Sequence, residues 1–192
     1  SLIGRRPEDE QNYEFAASTD TWVRVVNFAN APDGTLHVCD MYREVIEHPW
    51  SIPDEIKRHL DLNSGNNRGR IVRLVPDNPA WRRRGNPALG KASTAELVAT
   101  LSHSNGWHRD TAQRQLVLRQ DKSVVPALQA MVRSGDLLGR FHAMWTLEGL
   151  GSLDAALVRE QMKDTNPRMR IQAIRASETL YKAGNKSFDA DY

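Results

Sequence analysis

An internal repeat in the second half of the chain constrains the fold more than any other feature of the sequence. Shifting the segment that starts at residue 93 by 31 and then by 30 positions aligns apolar with apolar residues and small with small residues. A period of about 30 residues predicts a stack of similar supersecondary units. The matched sets are Leu97, Leu128 and Val158; Leu101, Val132 and Met162; Arg109, Arg140 and Arg170; Ala112, Ala143 and Ala173; and Leu116 with Leu147, where the third copy has Ser177.

Each copy of the repeat has the pattern of two helices. Leu97 and Leu101 are four residues apart, so they share one helix face, and Ala112 and Leu116 share a face of a second helix. One helical hairpin cannot bury its apolar face alone, whereas three stacked hairpins bury a continuous core. We therefore predict a mainly α fold, a short α-solenoid of three helical hairpins over residues 93–184. The predicted helices are 94–103, 107–119, 123–134, 137–149, 153–164 and 167–183.

The first 78 residues have β-sheet rather than helical patterning. Residues 22–29 and 35–40 are rich in Val and aromatic or alternating apolar residues, and Pro32-Asp33-Gly34 between them is turn chemistry. This predicts a β-hairpin, with a short helix over 53–60 and a third strand over 70–75. We divide the chain into a β-rich segment 1–78, a Pro-rich linker 79–92, the helical repeats 93–184 and a polar tail 185–192.

The composition narrows the classes of function. The net charge of +2 over 192 residues argues against strong nonspecific electrostatic binding to nucleic acid. The single cysteine, Cys39, excludes an intramolecular disulfide, and the sequence has no CxxC or CxxCH motif. No apolar run approaches the roughly 18 residues of a transmembrane helix. Because the first methionine is Met41, we expect the chain to be a piece of a larger protein.

Two families resemble this sequence. Helical hairpins of about 30 residues with an R-x-x-A step in the second helix resemble HEAT repeats of the short kind related to phycobilisome lyases, over residues 93–183. WVRVVNFANAPDGTLHVCDMYREVIEHP, followed by NRGRIVRL, is similar to the end of the β-propeller in planctomycete-type membrane-bound dehydrogenases. In those proteins a propeller precedes HEAT-like repeats and often a cytochrome c domain. The resemblance implies an exported or periplasmic parent protein.

The resemblance also indicates a candidate ligand site. It places the residues that follow the second hairpin strand, Asp40, Tyr42, Arg43 and His48, near the central channel of a complete propeller. The alternative, which we favour, is that these side chains pin the end of the strand by hydrogen bonds. Most of the propeller and any CxxCH motif are missing from the sequence, so no catalytic or haem role is carried over.

The three repeated arginines, Arg109, Arg140 and Arg170, form a regular column if the repeats stack. One interpretation is a basic strip that holds an acidic partner or a phosphate. The other, which we favour, is a ladder in which each guanidinium binds backbone carbonyls or an acid of a neighbouring repeat. Asp164, six residues before Arg170, supports the ladder. Trp81 with Arg82–Arg84 similarly resembles a nucleic-acid patch, but in a Pro-rich linker it is more typical of a solvated hinge.

Metal chemistry has little support in the sequence. The six histidines, His37, His48, His59, His103, His108 and His142, include no HxxxH or HExxH pair. No arrangement typical of a nucleophilic enzyme is present, and we predict neither a metal nor a cofactor.

The leading functional hypothesis is therefore a non-catalytic HEAT-like scaffold that binds a protein partner. The alternatives are part of a periplasmic sugar or alcohol oxidoreductase, and a nucleic-acid-binding repeat, which the charge disfavours. We also expect a homodimer through the unpaired edge of the β segment.

Overall fold

The computed structural model describes residues 4–78 and 87–188, so the predicted cluster of Trp81 with Arg82–Arg84 lies outside the described residues. The chain divides into two compact units. The first contains residues Ser1–Ala29 and Thr35–Pro76, and the second contains Asn30–Gly34 and Asp77–Tyr192.

The first unit is built on a small antiparallel sheet. Its strands are β1 (Val25–Asn30), β2 (Leu36–Asp40) and β3 (Arg70–Leu74), in the spatial order β1-β2-β3. The register of β2 against β3 pairs Leu36 with Leu74 and Asp40 with Arg70. The predicted hairpin and third strand are therefore present. The predicted helix over 53–60 is limited to one turn, α1 (Asp54–Lys57), because so short a segment gains few hydrogen bonds for the residues it orders.

The second unit is helical, and the predicted mainly α fold is confirmed. All six predicted repeat helices are present, with ends that differ from the prediction by up to three residues. Side-chain caps set several of these ends. Ser93 and Glu96 form a capping box at the start of α2, and Asp154 caps α6 by accepting from Leu157 N at 2.7 Å. The helices are α2 (Thr94–Thr100), α3 (Gly106–Arg119), α4 (Val125–Ser134), α5 (Leu137–Gly149), α6 (Ala155–Met162) and α7 (Pro167–Lys182).

The six helices form three sequential pairs, α2 with α3, α4 with α5 and α6 with α7. The second helices also pack directly on one another, α3 on α5 and α5 on α7. Successive first helices α4 and α6 are joined by side chains instead: Arg133 Nε lies 3.0 Å from Glu160 Oε2, and Gln129 donates to Asp154 at 3.4 Å. The second helices are therefore the closer-packed layer of the stack.

The first repeated apolar position is fully buried in all three pairs, whereas at the second position Leu101 and Val132 are fully buried and Met162 is partly buried. Leu97, Leu128 and Val158 are each 0% exposed. The small residues Ala112, Ala143 and Ala173 are fully buried as well, where a larger side chain would separate the helices. The third copy departs with Ser177, which is also buried and whose hydroxyl donates to Ile174 O at 2.7 Å, so the polar atom is satisfied.

Two segments that the sequence predicts as linker or tail are partly held against the helices. In the predicted linker 79–92, Leu89 packs on the core, and Arg119 donates to Ala92 O at 2.6 Å and to Gly90 O at 3.0 Å. In the predicted polar tail, Lys186–Phe188 form a 3-10 turn with Phe188 fully buried. The buried ring of Phe188 anchors the end of this segment, although the average composition of residues 185–192 is polar.

Residues 30–34, the turn between β1 and β2 in the sequence, belong to the second unit. Asn105 Nδ2 donates to Ala31 O at 2.8 Å, and His108 Nε2 donates to Pro32 O at 2.9 Å. Within the described residues, no helix has the length and hydropathy needed to cross a membrane.

Candidate functional site

Arg109 and Arg170 bind the backbone at the ends of the first helices of their own pairs. Arg109 Nη1 donates to the carbonyls of His103, at 2.6 Å, and Ser104, at 2.9 Å. Arg170 Nη1 makes the same contacts with Asp164 O, at 2.8 Å, and Thr165 O, at 3.1 Å. These carbonyls belong to the short loops that follow α2 (Thr94–Thr100) and α6 (Ala155–Met162). The two arginines therefore hold the loop between the two helices of their own pair.

Arg140 links the second pair of helices to the third. Its Nε donates to Val132 O at 2.8 Å, near the end of α4, while Nη2 donates to Gln161 Oε1 at 2.7 Å and to the Asp164 carboxylate. The side chains of Arg140 and Asp164 are only 14% and 15% exposed. The hydrogen bond from Arg140, followed by one from Asn166 N, holds the pKa of Asp164 below its ordinary value. The favoured ladder between repeats is therefore present in part: in the described hydrogen bonds Arg140 reaches the neighbouring pair, whereas Arg109 and Arg170 bind carbonyls of their own pairs.

Replacing Arg140 with Met should lower the free energy of unfolding by about 2–4 kcal/mol, because the mostly buried Asp164 carboxylate loses its cationic partner and two further acceptors lose this donor. The control is Arg133→Met, since Arg133 and Glu160 form an exposed pair, at 47% and 48%, worth at most about 1 kcal/mol. Because the pKa of Asp164 is depressed in the folded state, its contribution is complete above the unfolded pKa of about 3.9 and is lost as the pH falls through the folded value.

Urea unfolding of these variants between pH 2 and pH 6 measures both effects. The acid-side loss of stability should be smaller in Arg140→Met than in the wild-type chain. Equal costs for Arg140→Met and Arg133→Met would contradict the assigned role.

In the first unit, Asp40 is the centre of a hydrogen-bonded cluster at the end of β2. It is 4% exposed. Its Oδ1 accepts from Arg24 N at 2.8 Å and from Tyr42 N at 2.9 Å, and its Oδ2 accepts from Arg70 Nε at 2.9 Å. Burial acts to raise the pKa of Asp40, but these three hydrogen bonds outweigh it and lower the pKa below the ordinary value. Both oxygens of an ionised carboxylate are thus occupied by protein donors.

Tyr42 completes this cluster through an unusual backbone conformation. Its φ of 49° lies in the left-handed region, which turns the chain sharply after Asp40. The Tyr42 hydroxyl donates to Asp20 Oδ2 at 2.8 Å, and the Arg70 guanidinium lies 4.4 Å from the centre of the Tyr42 ring. Backbone bonding to Trp22, followed by the Tyr42 hydroxyl, holds the pKa of Asp20 below its ordinary value.

The other two predicted ligand residues make separate contacts. Arg43 Nη2 donates to Leu62 O at 2.5 Å, which ties the loop before β3 to the end of β2. His48 is exposed, and its Nδ1 accepts from Trp50 N at 3.3 Å, so it caps the 3-10 turn Pro49–Ser51. Among the hydrogen bonds described, none joins His48 to the Asp40 cluster.

Sequence reasoning missed three members of this cluster, Asp20, Arg24 and Arg70. The signal for Arg70 is the strand register, because Asp40 and Arg70 are directly opposite each other in the β2–β3 pair. Arg24 contributes its backbone N–H, a group that every residue except proline has. The residue type at this position therefore gives no signal of the contact.

A cleft of about 640 Å³ opens beside the cluster on one face of the sheet. Asp20, Arg24, Asp40 and Arg70 line it together with apolar residues such as Val38 and Val72. The guanidinium of Arg70 is 49% exposed and is available to an anion, whereas Asp40 is buried and both of its oxygens accept hydrogen bonds from the protein, so it is unsuited to proton transfer. A ligand role for this site stays a prediction. No group of His, Cys, Asp and Glu side chains suited to a metal ion occurs in the described part of the chain.

Comparison with known proteins found a family match in the N-terminal part of the chain. Residues 2–78 match a family described as a domain of unknown function, DUF7133. No curated protein and no solved structure is similar enough to match the chain. The segment that carries the Asp40 cluster is therefore similar to this family of unknown function, and the helical repeats lie outside the matched residues.

Proposed function

We propose that this chain is a non-catalytic scaffold, an α-solenoid of three HEAT-like hairpins that binds another protein through its second helices. The observation that carries the proposal is the equal burial of one repeated apolar position, at which Leu97, Leu128 and Val158 are all fully buried. Stacks of this kind use their concave side as an extended binding surface. Because α3, α5 and α7 pack closer together than the first helices do, the concave side is the side of the second helices.

The exposed residues on that side have the composition of a protein interface. We define the second-helix face as Arg114, Leu118, Leu138 and Arg168, which are all exposed. Arg114 and Leu118 are four residues apart, so they share one face of α3. Leu118 and Leu138 are 66% and 45% exposed. Arg is enriched at interfaces and at binding hot spots, so we assign as partner an amphipathic segment that carries carboxylates.

Charge reversal tests this assignment. Arg114→Glu combined with Arg168→Glu should weaken binding of an acidic partner at least about tenfold, because each change replaces attraction with repulsion. The matched control is Lys122→Glu with Lys163→Glu, which makes the same change of charge at exposed positions outside the second helices.

The immobilised chain is used to capture proteins from its source cells, and the affinity of each captured protein is then titrated with both double variants. Selective loss with the arginine pair supports the proposal. Equal loss with both pairs, or retention with both, contradicts it.

The nucleic-acid alternative is tested in parallel. In the described residues, the guanidinium groups of the repeated arginines bind backbone carbonyls and the Asp164 carboxylate, and they do not form a free basic surface for phosphates. We therefore expect no retention of the chain on DNA at low salt. A binding constant that falls steeply with salt would favour the nucleic-acid hypothesis instead.

The remaining hypotheses concern the first unit. In the described sheet β1 and β3 are the outer strands, and β1 exposes Val26 and Phe28, which supports the predicted homodimer through a sheet edge. The role as part of a periplasmic sugar or alcohol oxidoreductase stays a prediction that rests on resemblance, as does export of the parent protein.

A further inference from the structure

The second helix of each pair has one side that faces the following pair. On α3, Gln113 Oε1 lies 2.7 Å from His142 Nδ1 of α5. On α5, the indole N–H of Trp145 donates to Gln172 Oε1 of α7 at 2.9 Å. Gln113 and Trp145 mark the same side of their helices, which we call the forward side.

Apolar residues on the forward side are buried in α5 and exposed in α7. Phe141 packs against the core and Met144 is fully buried, on the side of α5 that α7 covers. The repeat places Ile171 and Ile174 at the corresponding positions of α7, where they are 54% and 45% exposed. The last helix therefore carries the same apolar surface, without a covering helix among the described residues.

A turn after α7 reproduces the turn that opens the second pair of helices. Gln120, with φ of 52°, precedes the 3-10 turn Lys122–Val124, and Gly184, with φ of 101°, precedes the 3-10 turn Lys186–Phe188. The sequences of the turns with their capping residues are DKSV and NKSF. The last residue of each turn is apolar and buried.

The hydrogen bonds inside the two turns correspond as well. Asp121 Oδ1 accepts from Ser123 N at 2.9 Å, and Asn185 Oδ1 accepts from Ser187 N at 3.0 Å. Residues 121–124 lead directly into α4, the first helix of the second pair. The chain at residues 185–188 thus has the conformation from which a further helix pair begins.

The third pair also holds this turn from an equivalent position. Gln129 of α4 donates to Asp154, the N-cap of the following pair, at 3.4 Å. In the repeat register the residue at that position of α6 is Arg159, which donates to Ser187 O at 2.6 Å and stacks 4.6 Å from the centre of the Phe188 ring. The same position therefore secures the start of the next unit in both pairs.

We infer that the end of the stack formed by Ile171, Ile174, Arg175 and Glu178, which we call the end face, is the docking surface for a further helical hairpin of the same repeat type. This hairpin continues from the Asn185–Phe188 turn. The inference rests on the proposed solenoid and extends it. We assign a helical hairpin as the occupant because the next hairpin of the chain covers the forward sides of α3 and α5.

An extended chain tests the end face directly. A copy of Val125–Gly149 is attached after Phe188 of the full chain, in place of the last four residues. The added hairpin should reduce the equilibrium constant for unfolding at least about tenfold, because a new inter-repeat interface is formed. Hydrogen exchange in α7 should slow correspondingly.

Three controls make the result specific. In the extended chain, Ile171→Lys with Ile174→Lys should abolish the gain, whereas Leu118→Lys, at another exposed position, should preserve it. An extension of the same composition in scrambled order should give no gain. A gain that survives the isoleucine changes, or one that the scrambled extension also gives, overturns the inference, as does the absence of any gain.

Two further outcomes distinguish the hairpin from another occupant of the end face, and distinguish this inference from the proposed function. A dimer of the unextended chain that Ile174→Lys disperses in gel filtration would assign the end face to a second copy and overturn the inference. Failure of partner capture through Arg114 and Arg168, with the gain in stability intact, would count against the proposed function alone.

Discussion

Leu128→Ala is expected to lower the free energy of unfolding of the helical unit by about 3–5 kcal/mol. Leu128 is 0% exposed and lies in α4, the first helix of the central pair, so its loss leaves a cavity in the continuous core. Part of the stability of each pair comes from its interfaces with adjacent pairs, so a defect in the central pair also weakens the stack. Urea unfolding followed by far-ultraviolet circular dichroism measures the change.

Leu118→Ala is the matched control, because Leu118 is 66% exposed in α3. We expect its cost to be within about 0.5 kcal/mol. Similar costs for the two substitutions would show that Leu128 does not occupy a core position, and the stacked-repeat interpretation would then be wrong.

Gly65→Ala is expected to destabilise the first unit by about 3 kcal/mol or more. The φ of Gly65 is 79°, in the region that L-residues with a side chain avoid. A Cβ at this position would overlap Tyr42 O and lie 3.3 Å from Tyr42 C. Both are backbone atoms of the turn that follows Asp40, so neither yields without disrupting the cluster around that carboxylate.

Gly69→Ala provides the comparison within the same loop. A Cβ at Gly69 would lie 3.6 Å from Met41 O, an ordinary contact, and we expect a cost below about 1 kcal/mol. Hydrogen exchange followed by mass spectrometry, over peptides that cover β2 and β3, distinguishes the two variants. Unchanged protection in Gly65→Ala would mean that the close approach of Gly65 to Tyr42 is not required.

Much of the helical architecture is predictable because its signals are local. The period of Leu97, Leu128 and Val158 identifies the stack, and the Ser93–Glu96 capping box marks its start. A cap acts through atoms within one helical turn, so a short window of sequence contains the whole interaction. The hairpin in the first unit is equally local, since a Pro-Asp-Gly turn separates two β-patterned runs.

The candidate sites were less predictable because their partners are distant in the sequence. Asp40 meets Arg70 only through the strand register, and the two residues are 30 positions apart. The long side chain of Arg140 reaches a carboxylate 24 positions away. The repeat alone left a basic strip and a hydrogen-bonded ladder as open alternatives for the arginine column.

The sequence by itself determined that the second half of the chain forms stacked helix pairs, because periodicity and capping are properties of neighbouring residues. Only the tertiary structure decided which carbonyls and which carboxylate the repeated arginines bind, that Asp40 accepts three hydrogen bonds from the protein, and that Phe188 is buried rather than part of a polar tail. Flexible side chains take the partners that packing brings within reach, and packing depends on the whole chain.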